Sequence, residues 1–392
     1  MKIALVAGAR PNFMKIAPLV WAMSNRPELT PFIIHTGQHY DDNMSRVFFD
    51  ELELPDPDVD LGVGSATHAV QTARVMTAIE PVLEDECPDW VLVVGDVNST
   101  LAAALVVVKL GIPVGHVEAG LRSGDRTMPE ETNRLATDAI STLLFAPSHD
   151  AVDNLRREGH PEEHIAFVGN VMVDTLLKLL PRIDACHRRA DLGIRADYVL
   201  VTLHRPSNVD SDDMLSDYLD ALCEIAADWQ VVFPVHPRTR PHIDRLLAPR
   251  LRPGGLRLLP PVSYLDFIAL EDGARLVITD SGGVQEETTV LGVPCLTVRT
   301  TTERPVTVTE GTNRLIGASA SRLLYHARRI KTTPPRSARP SLWDGNAATR
   351  ILSVLQQPRR HRKESHRIRQ PHGVRRDSGR ATEIRNSADR AP

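Results

Sequence analysis

Apolar strand-like runs alternate with helix-like patterns along almost all of this 392-residue chain, and the series starts twice. Few folds accommodate that pattern, because neighbouring parallel strands need a crossover and a helix is the usual one. The first series places strands at 2–7, 32–36, 90–94, 114–117, 143–145 and 166–168, with a long helix over 67–86. The second places them at 198–202, 231–235, 257–259, 276–279 and 295–298. The expected architecture is α/β, with two Rossmann-like doubly wound domains, residues 1–180 and 181–345, facing a cleft. The polar segment 181–197 reads as the linker. A closing helix over 346–357 carries Ala347, Ala348, Ile351, Leu352 and Leu355 at apolar positions and is expected to pack back across the domain junction.

Composition narrows the class. Hydrophobic content of 42% and charged content of 24% are those of a soluble globular protein, and the length exceeds one ordinary core. Aromatic residues, at 4%, are too sparse for a base-stacking platform, so no nucleic-acid partner is expected. Cys87, Cys186, Cys223 and Cys295 are far apart and form no CxxC pair, which disfavours a thiolate zinc site and suits a reduced, cytoplasmic setting. The first residues enter a strand pattern without a signal-peptide-like apolar region. The most apolar segment, 91–117, is broken by Asp96, Asn98 and Lys109, so no membrane insertion is expected either. A net charge of −4 conceals an asymmetry: residues 359–392 carry eleven Arg and Lys against four Asp and Glu, which leaves −11 on the rest. The segment 358–392 is expected to be a disordered, solvated extension, with contact to nucleic acid or anionic lipid as the other reading.

Ligands of doubly wound sheets bind beyond the carboxyl ends of the strands, and the unusual polar residues fall there. The clearest case is Thr279-Asp280-Ser281-Gly282-Gly283-Val284-Gln285-Glu286-Glu287, a strand end, a glycine turn and a helix start. Free N–H groups and the positive end of the helix dipole make such a turn an anion site. Asp280 and Ser281 suit caps, and Glu286 or Glu287 suits ribose hydroxyls; a capped turn that binds nothing is the alternative. Gly8-Ala9-Arg10-Pro11-Asn12-Phe13-Met14-Lys15 puts two cations after the first strand, as an anionic ligand or a solvated turn requires. His39 follows the second strand, where a hydrogen-bonded loop residue is a better reading than a catalyst. Asp96 follows the strand at 90–94, either as a catalyst or as a turn residue, with Asn98 or Ser99 capping the next helix. Glu118 ends the strand at 114–117, and Glu130 and Glu131 open a helix, where acidic caps are ordinary. In the second half, His204-Arg205 and His236-Pro237-Arg238 sit at two strand tips, which favours an anion over a metal, since no HxH or HExxH spacing occurs. Arg299, the threonines 300–302 and Arg304 suit a phosphorylated, hydroxyl-rich ligand. Three carboxylates on one lip and a diphosphate clamp on the other point to proton transfer on a nucleotide-linked substrate, with crowding expected to raise carboxyl pKa values.

Taken together, GARPNFMKIAPL, TGQH, GHVEAGLRSGD, PEETNR, PVHP, TDSGGVQEE and TTERP resemble the non-hydrolysing UDP-N-acetylglucosamine 2-epimerases, over residues 1 to about 356. The resemblance implies a glycosyltransferase-B-like fold, a homodimer, and interconversion of UDP-GlcNAc and UDP-ManNAc without metal or other cofactor, supplying sugars for cell-surface polysaccharide. It implies anti elimination of UDP through 2-acetamidoglucal, followed by re-addition. By motif, Asp96, Glu118 and Glu130 match the acid/base set, with Lys15 and His204 supporting the diphosphate. Arg10, Ser281, Gly282, Gly283, Glu287 and Arg304 match the UDP clamp, Phe267 the uracil side, and His236 a position near the nucleotide.

Two departures bear on the substrate. Asn12 stands where many members have Glu in GTRPE, and His204-Arg205-Pro206-Ser207-Asn208 stands where many have HRxEN. They leave open a UDP-linked diacetamido uronic acid as substrate and leave open allosteric activation by UDP-GlcNAc. A hydrolysing 2-epimerase, a glycosyltransferase of the same architecture and a catalytically silent UDP-sugar-binding protein are the competing readings.

Overall fold

The computed structural model describes residues 1–37, 49–194, 197–237, 239–247, 255–330 and 339–357. His39 and the basic tail lie outside the described residues, as do the side chains of Arg10 and Cys186. Strands β1 (Lys2–Ala7), β2 (Thr30–His35), β3 (Val59–Asp60), β4 (Trp90–Val94), β5 (Val114–Val117), β6 (Leu143–Ala146) and β7 (Ile165–Phe167) form a seven-stranded sheet in the order β3-β2-β1-β4-β5-β6-β7. Strands β8 (Tyr198–Thr202), β9 (Gln230–Pro234), β10 (Leu256–Leu259), β11 (Leu276–Thr279), β12 (Cys295–Thr297) and β13 (Asn313–Leu315) form a six-stranded sheet in the order β10-β9-β8-β11-β12-β13. Every pairing in both sheets is parallel. Strand order reverses at β1/β4 and at β8/β11, which opens a crevice at each of those points.

Both faces of each sheet are covered, and the strands read accordingly as near-continuous apolar runs. Ile3 and Leu5 join one core cluster with Phe13, Ile16 and Leu19 of the helix Arg10–Ser24. Ala4 and Val6, pointing the other way, join Ile79, Leu83 and Val107 of the helices His68–Glu86 and Asn98–Lys109. The second sheet divides in the same manner, with Val199 and Val201 on one face and Tyr198 and Leu200 on the other.

Two features differ from the sequence expectation. The short edge strands β3 and β13 were not anticipated; runs of two and three residues carry too little alternation to detect. The segment read as linker contains a helix, Ala185–Asp191, capped by Asp184, whose side chain accepts from His187 N–H at 3.0 Å. It packs on the helix Tyr264–Asp272 through an Arg188–Asp266 ion pair and Arg189 Nη1 donating to Ala269 O at 3.1 Å. Charged residues there face neighbours and solvent along one short helix, which polarity alone does not distinguish from a loop. The closing helix, Ala347–Gln356, packs on the helices Arg10–Ser24 and Val171–Leu179, and all five of its expected apolar residues are buried there. Its start is held by Asp174, which accepts from Ala347 N–H (3.1 Å) and Ala348 N–H (2.8 Å).

The chain thus returns from the second sheet to the core of the first. Trp343 anchors that return: it is 1% exposed, and its Nε1–H donates to Pro147 O at 2.9 Å. Among the described residues no helix is long and apolar enough to cross a membrane. Trp343→Ala is expected to cost about 3–5 kcal/mol in urea unfolding. Trp343→Phe, which keeps most of the packing but strands a carbonyl, is expected to cost about 1–3 kcal/mol. Equal midpoints for wild type and Trp343→Ala would contradict this anchoring role.

Candidate active site

The carboxyl ends of the two sheets border a cleft of about 710 Å³, within the size range of small-molecule sites. On the first-sheet side, Gly8 and Ala9 connect β1 to the helix Arg10–Ser24. Asn12 Oδ1 accepts from the N–H groups of Gly8 (3.1 Å) and Ala9 (2.8 Å), and its Nδ2 donates to Val94 O (3.1 Å). Asn12 therefore staples the first loop to the end of β4. One turn on, Lys15 is buried and ion-paired with Glu118.

After β4, Gly95 has φ +67°, and a Cβ there would lie 2.6 Å from Lys15 Nζ, so glycine admits the lysine. Asp96 pairs with Arg134 on the helix Pro129–Ile140, and Asn133 Nδ2 donates to the Asp96 carbonyl at 2.9 Å. The expected caps are not made. Val97 occupies the N-cap with no side-chain bond, Asn98 Nδ2 donates to Gln71 Oε1 (2.8 Å), and Ser99 Oγ meets Thr36 Oγ1 (2.8 Å).

Glu118 follows β5 with φ +76°, a left-handed conformation that costs about 1–3 kcal/mol in a non-glycine residue. The N–H groups of Glu118 and Ala119 both donate to Phe145 O at 3.1 Å, which holds this turn in place. Two residues before it in the strand, His116 is wholly buried: its Nε2 meets Gly95 O at 2.8 Å and its Nδ1 meets Asp138 Oδ1 at 2.6 Å. Asp138 Oδ2 also accepts from Gly120 N–H (3.0 Å) and Arg122 Nη2 (2.6 Å). His116 and Asp138 thus couple the loops that carry Asp96 and Glu118, and nothing local in the sequence pairs two residues so far apart.

The helix start that offered Glu130 or Glu131 is resolved by geometry. Glu131 is buried and consumed, accepting from Ser123 N–H, Ser123 Oγ and Gly124 N–H at 3.0 Å each and pairing with Arg134 at 2.6 Å. Glu130 is half-buried and lines the cleft.

On the second-sheet side, His204, His236, Ser281, Gly282, Gly283, Phe267, Glu287 and Arg304 all line the same cleft, opposite Lys15, Asp96 and Glu130. Ser281 takes the N-cap of the helix Gly282–Leu291 without a side-chain bond, so the expected Asp280 and Ser281 caps are also absent. Glu287 faces the cleft and accepts from the Tyr264 hydroxyl at 2.7 Å, whereas Glu286, the next residue round the helix, turns to Arg304. Sequence alone left those two glutamates interchangeable. A Cβ on Gly282 would lie 2.5 Å from Arg304 Nη1, so that glycine makes room for the guanidinium.

Arg304 is the hub of the site. Its Nη2 lies 3.1 Å from Glu118 Oε1 across the cleft, its Nε 2.7 Å from Glu286 Oε1 and its Nη1 2.6 Å from Glu303 Oε1. Glu303 in turn pairs with Arg299 at 2.7 Å. The carboxylates around it respond unequally, which corrects the expectation that crowding raises the acid/base set. Burial alone would raise Glu118, but Lys15 and Arg304 more than offset it and hold the carboxyl below its ordinary range. Glu303 is lowered in the same way, burial being outweighed by Arg304 and Arg299. Glu286 goes up to about 7, because burial and the Glu118 charge outweigh Arg304. Burial likewise raises Glu287 and, with the Glu287 charge added, its neighbour Glu271.

Of the expected site residues, Glu118 sits behind the cleft surface, at 4% exposure, reached through Lys15 and Arg304. A family model described as UDP-N-acetylglucosamine 2-epimerase matches residues 21–356. A UDP-N-acetylglucosamine 2-epimerase of Methanocaldococcus jannaschii is 43% identical over 363 residues, spanning 91% of this chain and 99% of the relative. The chain belongs to the UDP-N-acetylglucosamine 2-epimerase family. A crystal structure of the M. jannaschii epimerase in complex with UDP-GlcNAc and UDP superposes with a TM-score of 0.83 at 42% identity, covering 91% of this chain and 99% of that one. Another relative, the UDP-2,3-diacetamido-2,3-dideoxy-D-glucuronate 2-epimerase of Pseudomonas aeruginosa, is 41% identical over 362 residues, again 91% of this chain and 99% of the relative. The two-domain α/β arrangement is the glycosyltransferase-B-like fold of these epimerases.

Opposite pKa directions give this family member a testable signature. Glu118, lowered from 4.5, stabilises the fold above that value, and the contribution is lost as pH falls through its folded pKa. Glu286, raised from 4.5 to about 7, contributes stability that is complete below 4.5 and lost as pH rises through about 7. Glu286→Gln is therefore expected to flatten the decline in unfolding free energy between pH 4.5 and about 7. An unchanged profile would contradict the raised Glu286.

Proposed function

We propose that this chain interconverts UDP-GlcNAc and UDP-ManNAc by moving a proton at C2 of the sugar, without releasing the free sugar. The observation that carries the proposal is the composition of the cleft: a glycine-turn helix start with basic residues on one wall, and carboxylates on the other. The first wall suits a nucleoside diphosphate. The second suits a reaction that takes a proton from one face of a carbon and returns it to the other.

In this reading a carboxylate removes the C2 proton. The C2–H electrons form the C1–C2 double bond of 2-acetamidoglucal, and the electron pair of the breaking C1–O bond stays on the β-phosphate oxygen of UDP. Re-addition of UDP, with protonation from the opposite face, completes the inversion. Asp96 and Glu130 open on the cleft, and Glu118 stands behind Lys15 and Arg304 as the third acid/base group. Lys15 and His204 neutralise charge growing on the departing diphosphate. Ser281, Gly282, Gly283 and Arg304 hold the diphosphate, Glu287 the ribose, and Phe267 the uracil side; Arg10 and His236 complete the nucleotide site. The enzyme works as a cytoplasmic homodimer in this reading, and its product feeds cell-surface polysaccharide.

One observation favours a second substrate. The P. aeruginosa relative named for a UDP-linked diacetamido uronate is 41% identical, nearly as similar as the M. jannaschii enzyme at 43%. Proton NMR of the purified protein with each UDP-sugar separates the cases. UDP-ManNAc from UDP-GlcNAc is the expected product. Stoichiometric free ManNAc and UDP would overturn non-hydrolytic epimerisation, and turnover of the uronate alone would move the substrate assignment. Asp96→Asn and Glu118→Gln are each expected to lower kcat by roughly 10²–10⁴-fold while UDP affinity stays within a few-fold. Normal turnover by both variants would remove these two residues from the chemistry.

A further inference from the structure

Strands β8 and β11 are neighbours in the second sheet, with Thr202 paired to Thr279, so the residues just beyond them meet at the cleft wall. One of them is His204, whose side chain is 51% exposed and lines the cleft. The other is Asp280, a carboxylate with no exposure at all that immediately precedes the Ser281-Gly282-Gly283 turn. The sequence suggested a helix cap for Asp280, and the structure gives it a different task. The His204 N–H donates to Asp280 Oδ2 at 3.1 Å, the Arg205 N–H to the same oxygen at 2.9 Å, and Asn208 Nδ2 to it at 2.9 Å. The imidazole completes the set, with His204 Nδ1 2.9 Å from Asp280 Oδ1. Arg205 Nε also donates to the Asp280 carbonyl at 3.1 Å, which fastens the two loops to each other by main chain as well as side chain.

These contacts fix more than the position of a loop. A carboxylate offers only acceptors, so the imidazole nitrogen facing it carries a proton, and the other nitrogen, Nε2, is the one left to the cleft. We propose that Asp280 is a positioning residue that holds the Nδ1 proton and the ring orientation of His204, so that Nε2 is presented to the diphosphate of the bound UDP-sugar. This deepens the epimerase reading above and rests on it. In the elimination, the electron pair of the C1–O bond passes to the β-phosphate oxygen, beside the imidazole that Asp280 holds in place. The C2 proton goes to a carboxylate of the first wall, so no oxidant, reductant or additional reactant enters.

Two measurements test the assignment. In the full-length protein with UDP bound and its histidines ¹⁵N-labelled, the His204 imidazole is identified as the signal lost in His204→Gln. The expected spectrum shows Nδ1 protonated; a neutral ring with its proton on Nε2 alone would overturn the proposal, whether or not the protein turns over any sugar. The second is kinetic. Asp280→Asn is expected to lower kcat by about 100-fold or more with little change in UDP affinity. Combined with His204→Gln, it is expected to cost almost nothing further, because the carboxylate acts through the imidazole. A double variant much slower than His204→Gln alone would mean that Asp280 acts by another route and would overturn the proposal. If Asp280→Asn fails to fold, the wild-type spectrum still decides. Wild-type turnover of UDP-GlcNAc, measured alongside, separates failure of this proposal from failure of the epimerase reading.

Discussion

The contact between Glu118 and Arg304 joins the two walls of the site. One residue follows a strand of the first sheet and the other a strand of the second, 186 positions apart, and both are more than nine-tenths buried. A charge removed from water that far needs a partner, and breaking a buried pair costs about 3–5 kcal/mol. Each wall therefore needs the other in place. Lys15, Glu286 and Glu303 complete the pairing around this contact, so five ionisable groups from four segments of the chain meet at the base of one cleft. The left-handed backbone at Glu118 belongs to the same economy: local strain is tolerated where surrounding contacts over-determine the geometry.

The network also explains how one cleft holds carboxyl groups in different states. Glu118 faces two cations and is held ionised, whereas Glu286, on the far side of the same guanidinium, is raised to about 7. Proton transfer at neutral pH benefits from groups whose affinities have been moved apart. The second wall is organised by position. Asp280 lies beneath His204, and the glycine turn begins at the next residue, so imidazole and anion cradle are set by one strand end.

Much of this was legible in the sequence, for a physical reason. Parallel strands buried on both faces must be apolar, so the polar residues Asp96, Glu118, His204 and Asp280 at their tips stand out against the pattern. The two doubly wound sheets followed from the alternation. The pairings did not follow. Whether Glu130 or Glu131 faces the ligand depends on where Ser123 and Gly124 fold back. Whether Glu286 or Glu287 does depends on Arg304 from a later loop. The His116–Asp138 pair and the Trp343 anchor join distant segments with no local signal, and the helix Ala185–Asp191 was hidden by its own polarity.

In the proposed reaction a proton moves at one carbon of a UDP-sugar held between these two walls. Incubating the purified protein with UDP-GlcNAc in D₂O, and following C2 by NMR and mass spectrometry, tests that claim most directly. Deuterium is expected at C2 in the epimer and, through the reverse reaction, in recovered substrate. An epimer that retains its original C2 hydrogen would contradict that claim.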